Sequence, residues 1–191
     1  MIGNTVKPKA GIFGQLEMAN QLTVTHDESC AFTGAMNGKI YKWVNGGLKT
    51  AQQIHNGVIY CIKYLKENHL GKPALFSGGS DKMVFISDPA TLEVATSILF
   101  DGVPRSVDYS KFLLVGLRNG HIVECDINKN AKETIMHSHH DGEVWGFAMI
   151  EEKNMFVTSC DDNKILMFDL EKRKCFQRGN ITLINEEVKG A

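Results

Sequence analysis

The sequence predicts an all-β chain of repeated four-stranded units, a β-propeller of about four blades in an incomplete ring. Three observations carry that reading. Four segments open on a tight-turn signal and continue as a short alternating strand: Met36–Trp43, Ser80–Asp88, Arg118–Asp126 and Asp161–Asp169. Within them Trp43, Ser87, Cys125 and Phe168 recur at intervals of 44, 38 and 43 residues. A period near forty with Asn-Gly or Asp-Lys turns marks propeller blades. Finally, no long stretch keeps a 3.6-residue apolar period, so almost no helix is expected.

The elements follow in order. Residues 1–20 lead into the array. The first blade, 21–54, reads as strands Gln21–Thr25, Cys30–Gly34, Lys39–Val44 and Leu48–Gln53. Its Asn37-Gly38 step is a hairpin signal in which both residues are expected at positive φ. The second blade, 55–99, reads as Val58–Leu65, Ala74–Ser77, Met83–Asp88 and Glu93–Leu99, with a charged loop at Lys66–Pro73. The third, 100–136, is shortest, with Ser106–Tyr109, Phe112–Val115, His121–Asp126 and Glu133–Met136. The fourth, 137–180, holds Val144–Ile150, Met155–Ser159, Lys164–Asp169 and Lys174–Gln177. Residues 181–191 read as the start of a truncated further blade. Repeat arrays normally end in polar caps; here another segment or a second chain is expected to complete the ring, whose open faces would otherwise be exposed.

Composition narrows the function. Of 191 residues 43% are hydrophobic and 23% charged, which suits a folded chain. Lys plus Arg at 21 against Asp plus Glu at 22 leaves a net charge of −1. That balance offers no general attraction to nucleic acid or to an acidic membrane. The five cysteines show no Cys-x-x-Cys pair, and the N-terminus lacks an apolar secretory core. A reducing, cytoplasmic setting is the expectation.

Candidate chemistry is sparse. His137, His139 and His140 stand beside Asp141 and Glu143. A zinc site needs three or four converging donors at about 2 Å, and no Cys or distant His visibly completes one. The loop reading wins, so neither metal nor cofactor is expected. Gly78-Gly79-Ser80-Asp81-Lys82 lacks the Walker spacing, and Lys82 starts a strand instead of a helix. Adjacent carboxylates such as Asp161-Asp162 point to opposite strand faces and make no acid–base pair. The basic run Lys172-Arg173-Lys174 is short and flanked by acids, a solvated turn. No enzyme constellation results, and a non-catalytic protein-interaction scaffold is the reading.

The repeats resemble WD repeats. Ile54-His55-Asn56-Gly57 and Ser138-His139-His140-Asp141-Gly142 look like the His loop preceding a blade; Ser77 with Asp81, and Thr158 with Asp162, look like the second-strand and turn positions. The resemblance implies buried networks His55–Ser77–Asp81 and His139–Thr158–Asp162, with Trp43 at the tryptophan position. Repeat three, with Val103-Pro104-Arg105 in place of the His loop, is left to apolar packing.

A finer match covers nearly the whole chain. Gly11-Ile12-Phe13-Gly14, Phe32–Trp43, Ser77–Lys82, Leu114–Gly120 and Gly142-Glu143-Val144-Trp145-Gly146 resemble the first propeller of the echinoderm microtubule-associated protein-like family. That resemblance implies a tubulin or microtubule partner and a cytoskeletal location, a cilium included. The alternative is a WD-repeat adaptor in signalling or trafficking without tubulin contact. Contact residues are expected in the variable loops, at Lys66, Glu67, Arg105, His137, His140 and Asp141.

Overall fold

The computed structural model describes residues 18–25, 27–67, 71–129, 131–136 and 142–180. They form four antiparallel four-stranded sheets, each made of four consecutive strands. Blade 1 holds β1 (Ala19–Val24), β2 (Cys30–Ala35), β3 (Lys39–Val44) and β4 (Gly47–Gln53). Blade 2 holds β5 (Ile59–Leu65), β6 (Ala74–Gly79), β7 (Met83–Ser87) and β8 (Val94–Leu99). Blade 3 holds β9 (Pro104–Tyr109), β10 (Leu113–Leu117), β11 (Ile122–Asp126) and β12 (Ala131–Met136). Blade 4 holds β13 (Val144–Ile150), β14 (Met155–Cys160), β15 (Lys164–Asp169) and β16 (Lys174–Asn180). The one helical piece among the described residues is a 3-10 turn at Glu151–Lys153. The first strands β1, β5, β9 and β13 pack against one another in series, so they line a common hub. This is a β-propeller array.

The hairpin between second and third strands repeats in detail. Asn37, Asp81, Asn119 and Asp162 each accept the backbone N–H two residues on through Oδ1, at 3.0, 3.2, 3.3 and 3.0 Å. The residue between takes positive φ: Gly38 at 81°, Lys82 at 64°, Gly120 at 80° and Asn163 at 59°. The sequence expectation that both residues of Asn37-Gly38 would sit at positive φ is therefore corrected. The Asx side chain closes its own turn, and only the following residue needs the left-handed region.

Many strand limits differ from expectation by a few residues, and two of these differences have a clear physical reason. β6 runs through Gly78 and Gly79, which read as turn residues. They are glycines because of packing: a Cβ on Gly79 would meet His55 Nδ1 at 2.5 Å. β9 begins at Pro104, so Arg105 is a strand residue, not a loop residue as expected. Pro at the first residue of a strand loses no needed ladder donor.

The core lies between blades. Phe32, Ile40, Ile59, Ile62 and Leu75 join blade 1 to blade 2. Phe76, Val84, Val107, Leu113 and Val115 join blades 2 and 3, with Phe76 stacked on Tyr109 at 5.6 Å. Leu114 and Ile122 meet Phe156, Leu166 and Phe168 between blades 3 and 4. Each fully buried aliphatic or aromatic side chain contributes about 1.5–3 kcal/mol. Repeat three does not rest on apolar packing alone, contrary to expectation. Ser106 Oγ donates to the Val144 carbonyl at 2.9 Å, and Asp108 Oδ2 accepts the Met149 N–H at 3.1 Å. Both side chains are buried and pin blade 3 to blade 4.

Candidate functional site

Two constellations stand out, one structural and one facing outward. The first is the blade 2 network. His55 lies in the loop before β5, beneath the turn that ends β6. Its Nδ1 is 2.9 and 3.1 Å from the Asp81 carboxylate oxygens, and its Nε2 is 2.9 Å from Ser77 Oγ. With Nδ1–H donating to the carboxylate, the Ser77 hydroxyl donates to Nε2. Asp81 also accepts the Asn56 N–H at 2.9 Å and the Met83 N–H at 3.2 Å. The ring packs edge-on against Phe85, with centroids 4.7 Å apart. Burial lowers the His55 pKa, and the Asp81 hydrogen bond and charge only partly offset it. The network ties the incoming loop to the β6–β7 turn and leaves no group free for chemistry.

In blade 1 the equivalent pair is Trp43 and Thr33, with the indole Nε1 donating to Oγ1 at 3.0 Å. In blade 4 Thr158 is buried on β14, and Asp162 holds its turn; His139 lies outside the described residues. At the tryptophan position blade 2 carries Ser87, whose hydroxyl is buried without a hydrogen-bond partner among the described residues.

The second constellation is built by β-bulges. In each blade the pairing of first and second strands shifts by one residue near the start of the first strand. The extra residue is Asn20, Tyr60, Arg105 or Trp145. A bulge re-aims the side chain it carries, and contacts of these residues link neighbouring blades. Asn20 Nδ2 donates to the Ile59 carbonyl at 2.9 Å. The Arg105 guanidinium carbon sits 3.6 Å from the Tyr60 ring centroid and 4.5 Å from that of Trp145. Arginine between two aromatic faces gains about 0.5–2 kcal/mol per face, more where desolvated.

Charge completes this rim. Arg105, only 6% exposed, has Nε 2.6 Å from Glu143 Oε2, a close ionic contact whose angle is too poor for a directed hydrogen bond. Arg118, 62% exposed, approaches the other Glu143 oxygen at 2.7 Å. Trp145 Nε1 donates to Asp161 Oδ1 at 2.5 Å, leaving the indole 46% exposed. The rim thus offers an exposed indole and an exposed arginine on a rigid, prepaired base.

Of the expected contact residues, Arg105 supports this rim from beneath. Lys66 and Glu67 are exposed, but they follow the far end of β5, opposite the bulges. The structure does not bring them together with Arg105. His137, His140 and Asp141 lie outside the described residues. Tyr60, Arg118, Glu143 and Trp145 were missed as a group: Tyr60 and Trp145 sit at bulges, which depend on pairing between strands, and Arg118 and Glu143 meet only when blades 3 and 4 pack together.

Among the described residues no three His, Cys, Asp or Glu side chains gather as metal donors. Burial pushes the Cys61 and Cys125 thiols up to about 12 each, which keeps them protonated and unreactive. No helix of the described residues is long and apolar enough to cross a membrane.

Fold and site together define a WD-repeat β-propeller array, built as an interaction scaffold. The family described as "WD domain, G-beta repeat" matches residues 131–169. That stretch takes in β12, the last strand of blade 3, and the first three strands of blade 4, so one sequence repeat straddles two blades. The chain is 38% identical over 175 residues to the ciliary WD repeat-containing protein ctxp80 of Euplotoides octocarinatus, covering 90% of this chain and 23% of that protein. It is 26% identical over 182 residues to the 77 kDa echinoderm microtubule-associated protein of Strongylocentrotus purpuratus, covering 90% and 26%. The corresponding protein of Lytechinus variegatus is 25% identical over 180 residues, covering 89% and 26%. Among solved structures the computationally designed Ika8 protein superposes with a TM-score of 0.65 at 15% identity, over 83% of this chain and 48% of that one, which shows the fold alone. The chain is similar to WD-repeat proteins, the echinoderm microtubule-associated proteins among them. It spans about a quarter of the length of these curated relatives.

Proposed function

We propose that this array is a microtubule-associated scaffold whose hub rim contacts the cytoskeletal partner. The observation that carries the reading is the rim itself. Trp145 and Arg118 are exposed there, on a base that Tyr60, Arg105 and Glu143 hold in place. Exposed aromatic and arginine side chains on a rigid support are the residue types that dominate protein interfaces. The microtubule as partner is supported by the names of the two echinoderm relatives, and a ciliary setting by that of the ciliate one.

The test is co-sedimentation of the purified chain with stabilised microtubules, beside Arg118→Glu and Trp145→Ser. Arg118→Glu removes an exposed ion pair with Glu143, and Trp145→Ser a ring face stacked on Arg105. Circular dichroism and the unfolding midpoint are therefore used to confirm that each variant is folded at the assay temperature. The wild type is expected in the pellet, with at least a fivefold loss for each variant. A wild type left in the supernatant overturns the microtubule reading. Variants that pellet as well as wild type overturn the rim as the contact.

A further inference from the structure

We propose that the outer edge of blade 2 is a docking site for an extended peptide segment of a protein partner, added to β8 as a further strand. The site lies in the middle of the chain, on the opposite edge of its sheet from the hub rim, and does not rest on that rim's role. β8 is the last strand of its sheet, so one side of its backbone is unpaired. Register decides which groups face out. The Phe100 N–H donates to the Lys82 carbonyl at 2.9 Å, and from there Leu99, Ile98, Ser97 and Thr96 oppose Met83, Val84, Phe85 and Ile86. Antiparallel strands exchange bonds at alternate residues. Phe100, Ile98 and Thr96 therefore bond inward to β7, while Ser97 and Leu99 turn their N–H and C=O groups outward. Among the described residues Lys132 alone reaches this row, its Nζ donating to the Leu99 carbonyl. A row of donors and acceptors at strand spacing is matched by another extended backbone.

Side chains set this edge apart from its counterparts. The outer strands β4, β12 and β16 carry Lys49, Lys132 with Glu133, and Lys174 with Arg178. Such charges keep a free edge from pairing. β8, Val94-Ala95-Thr96-Ser97-Ile98-Leu99, has no charged residue and no proline. All of its side chains but Ile98 are exposed, Leu99 at 59%.

A cavity at the Ala95 end adds selectivity. Regular pairing stops there at a bulge, beside a cavity of about 490 Å³. Its apolar wall includes Ala74, Ile86, Pro89 and Ala95, with Lys72 and Asp88 also lining it. Ala74 and Ile86 belong to the blade 3 side of the sheet, the side into which Ile98 turns. An added strand sends alternate side chains to that side, where the cavity has room for a large apolar one. The partner segment is thus uncharged, β-forming, and marked by one such side chain.

Fluorescence anisotropy with a dye-labelled, end-blocked peptide, Thr-Val-Thr-Leu-Thr-Val-Thr, tests this on the purified chain. Ser97→Pro removes an outward N–H, which an edge strand tolerates, and Ser97→Lys supplies the charge that the counterpart strands carry. Circular dichroism confirms folding, and Ser97→Lys decides the matter where the proline variant is unfolded. The wild type is expected to bind saturably, and each Ser97 variant about tenfold more weakly, the loss of one or two strand hydrogen bonds. Alanine in place of the central leucine should weaken wild-type binding about tenfold and make no difference to Ala95→Phe, whose ring occupies the cavity. A leucine preference that survives in Ala95→Phe overturns the cavity as its seat. No saturable binding up to millimolar peptide, or equal binding by wild type and Ser97→Lys, overturns the proposal. So does sedimentation velocity showing self-association of the wild type that Ser97→Lys abolishes, which would assign the edge to a second copy of this chain.

Discussion

His55 shows how a single buried side chain makes the fold sensitive to pH. Its folded pKa lies below the usual histidine value, chiefly through burial. The unfolded chain takes up a proton near pH 6.5, which the folded state resists. Stability from this group is thus fully present above about 6.5 and falls as pH drops below it. Urea midpoints measured from pH 5 to 8 should slope downward on the acid side, and His55→Gln should flatten that slope relative to wild type. A slope unchanged in the variant would assign the effect to other groups. Ser87 gives the opposite kind of expectation. Its hydroxyl is buried without a hydrogen-bond partner among the described residues, and an orphaned polar group costs about 1–3 kcal/mol. Ser87→Ala should raise the denaturation free energy by about 1 kcal/mol. A loss of stability would show that the hydroxyl has a role the described contacts do not reveal.

At the scale of the element, the turns were legible and the bulges were not. Asn37, Asp81, Asn119 and Asp162 could be found in the sequence because an Asx turn is a local device, made within three residues. The His55–Ser77–Asp81 network was legible for a different reason: the resemblance to WD repeats names those positions. The bulged residues Tyr60, Arg105 and Trp145 carried no local mark. Each is defined by the strand opposite it, and a Val-Pro-Arg step reads as a loop until β10 is placed beside it. Gly78 and Gly79 misled in a related way, since a glycine needed for a close approach looks like one needed for a turn. The turn geometry supplies its own prediction. Lys82 sits at φ 64° where blades 1 and 3 use glycine. A left-handed side-chain residue costs about 1–2 kcal/mol, and added freedom in the unfolded chain returns about 0.4–1 kcal/mol of that. Lys82→Gly should therefore stabilise the chain by roughly 0.5–1 kcal/mol. Differential denaturation against wild type reads the sign directly.

Over the whole molecule, stability is a chain of nearest-neighbour terms. Each blade touches the blade before and the blade after, so the energetics resemble those of a linear repeat array. A substitution at an internal joint should then be costly, while the same chemistry at an outer face should be nearly silent. Phe76→Ala, at the joint between blades 2 and 3, is expected to cost about 3–5 kcal/mol. Phe176→Ala, on the exposed face of blade 4, should stay within about 0.5 kcal/mol when the chain is dilute. Equal costs for the two would mean that the array does not behave as a sum of joints.

The placement of the two tryptophans gives the protein a built-in optical readout. Trp43 reports from the first blade, where its indole N–H is engaged by Thr33. Trp145 reports from the hub, with one ring face under a guanidinium and much of the rest open to water. A quencher dissolved in the buffer reaches the second indole far more readily than the first. Anything that settles over the rim should shield Trp145 and shift its emission, so occupancy there can be followed by fluorescence without attaching a label.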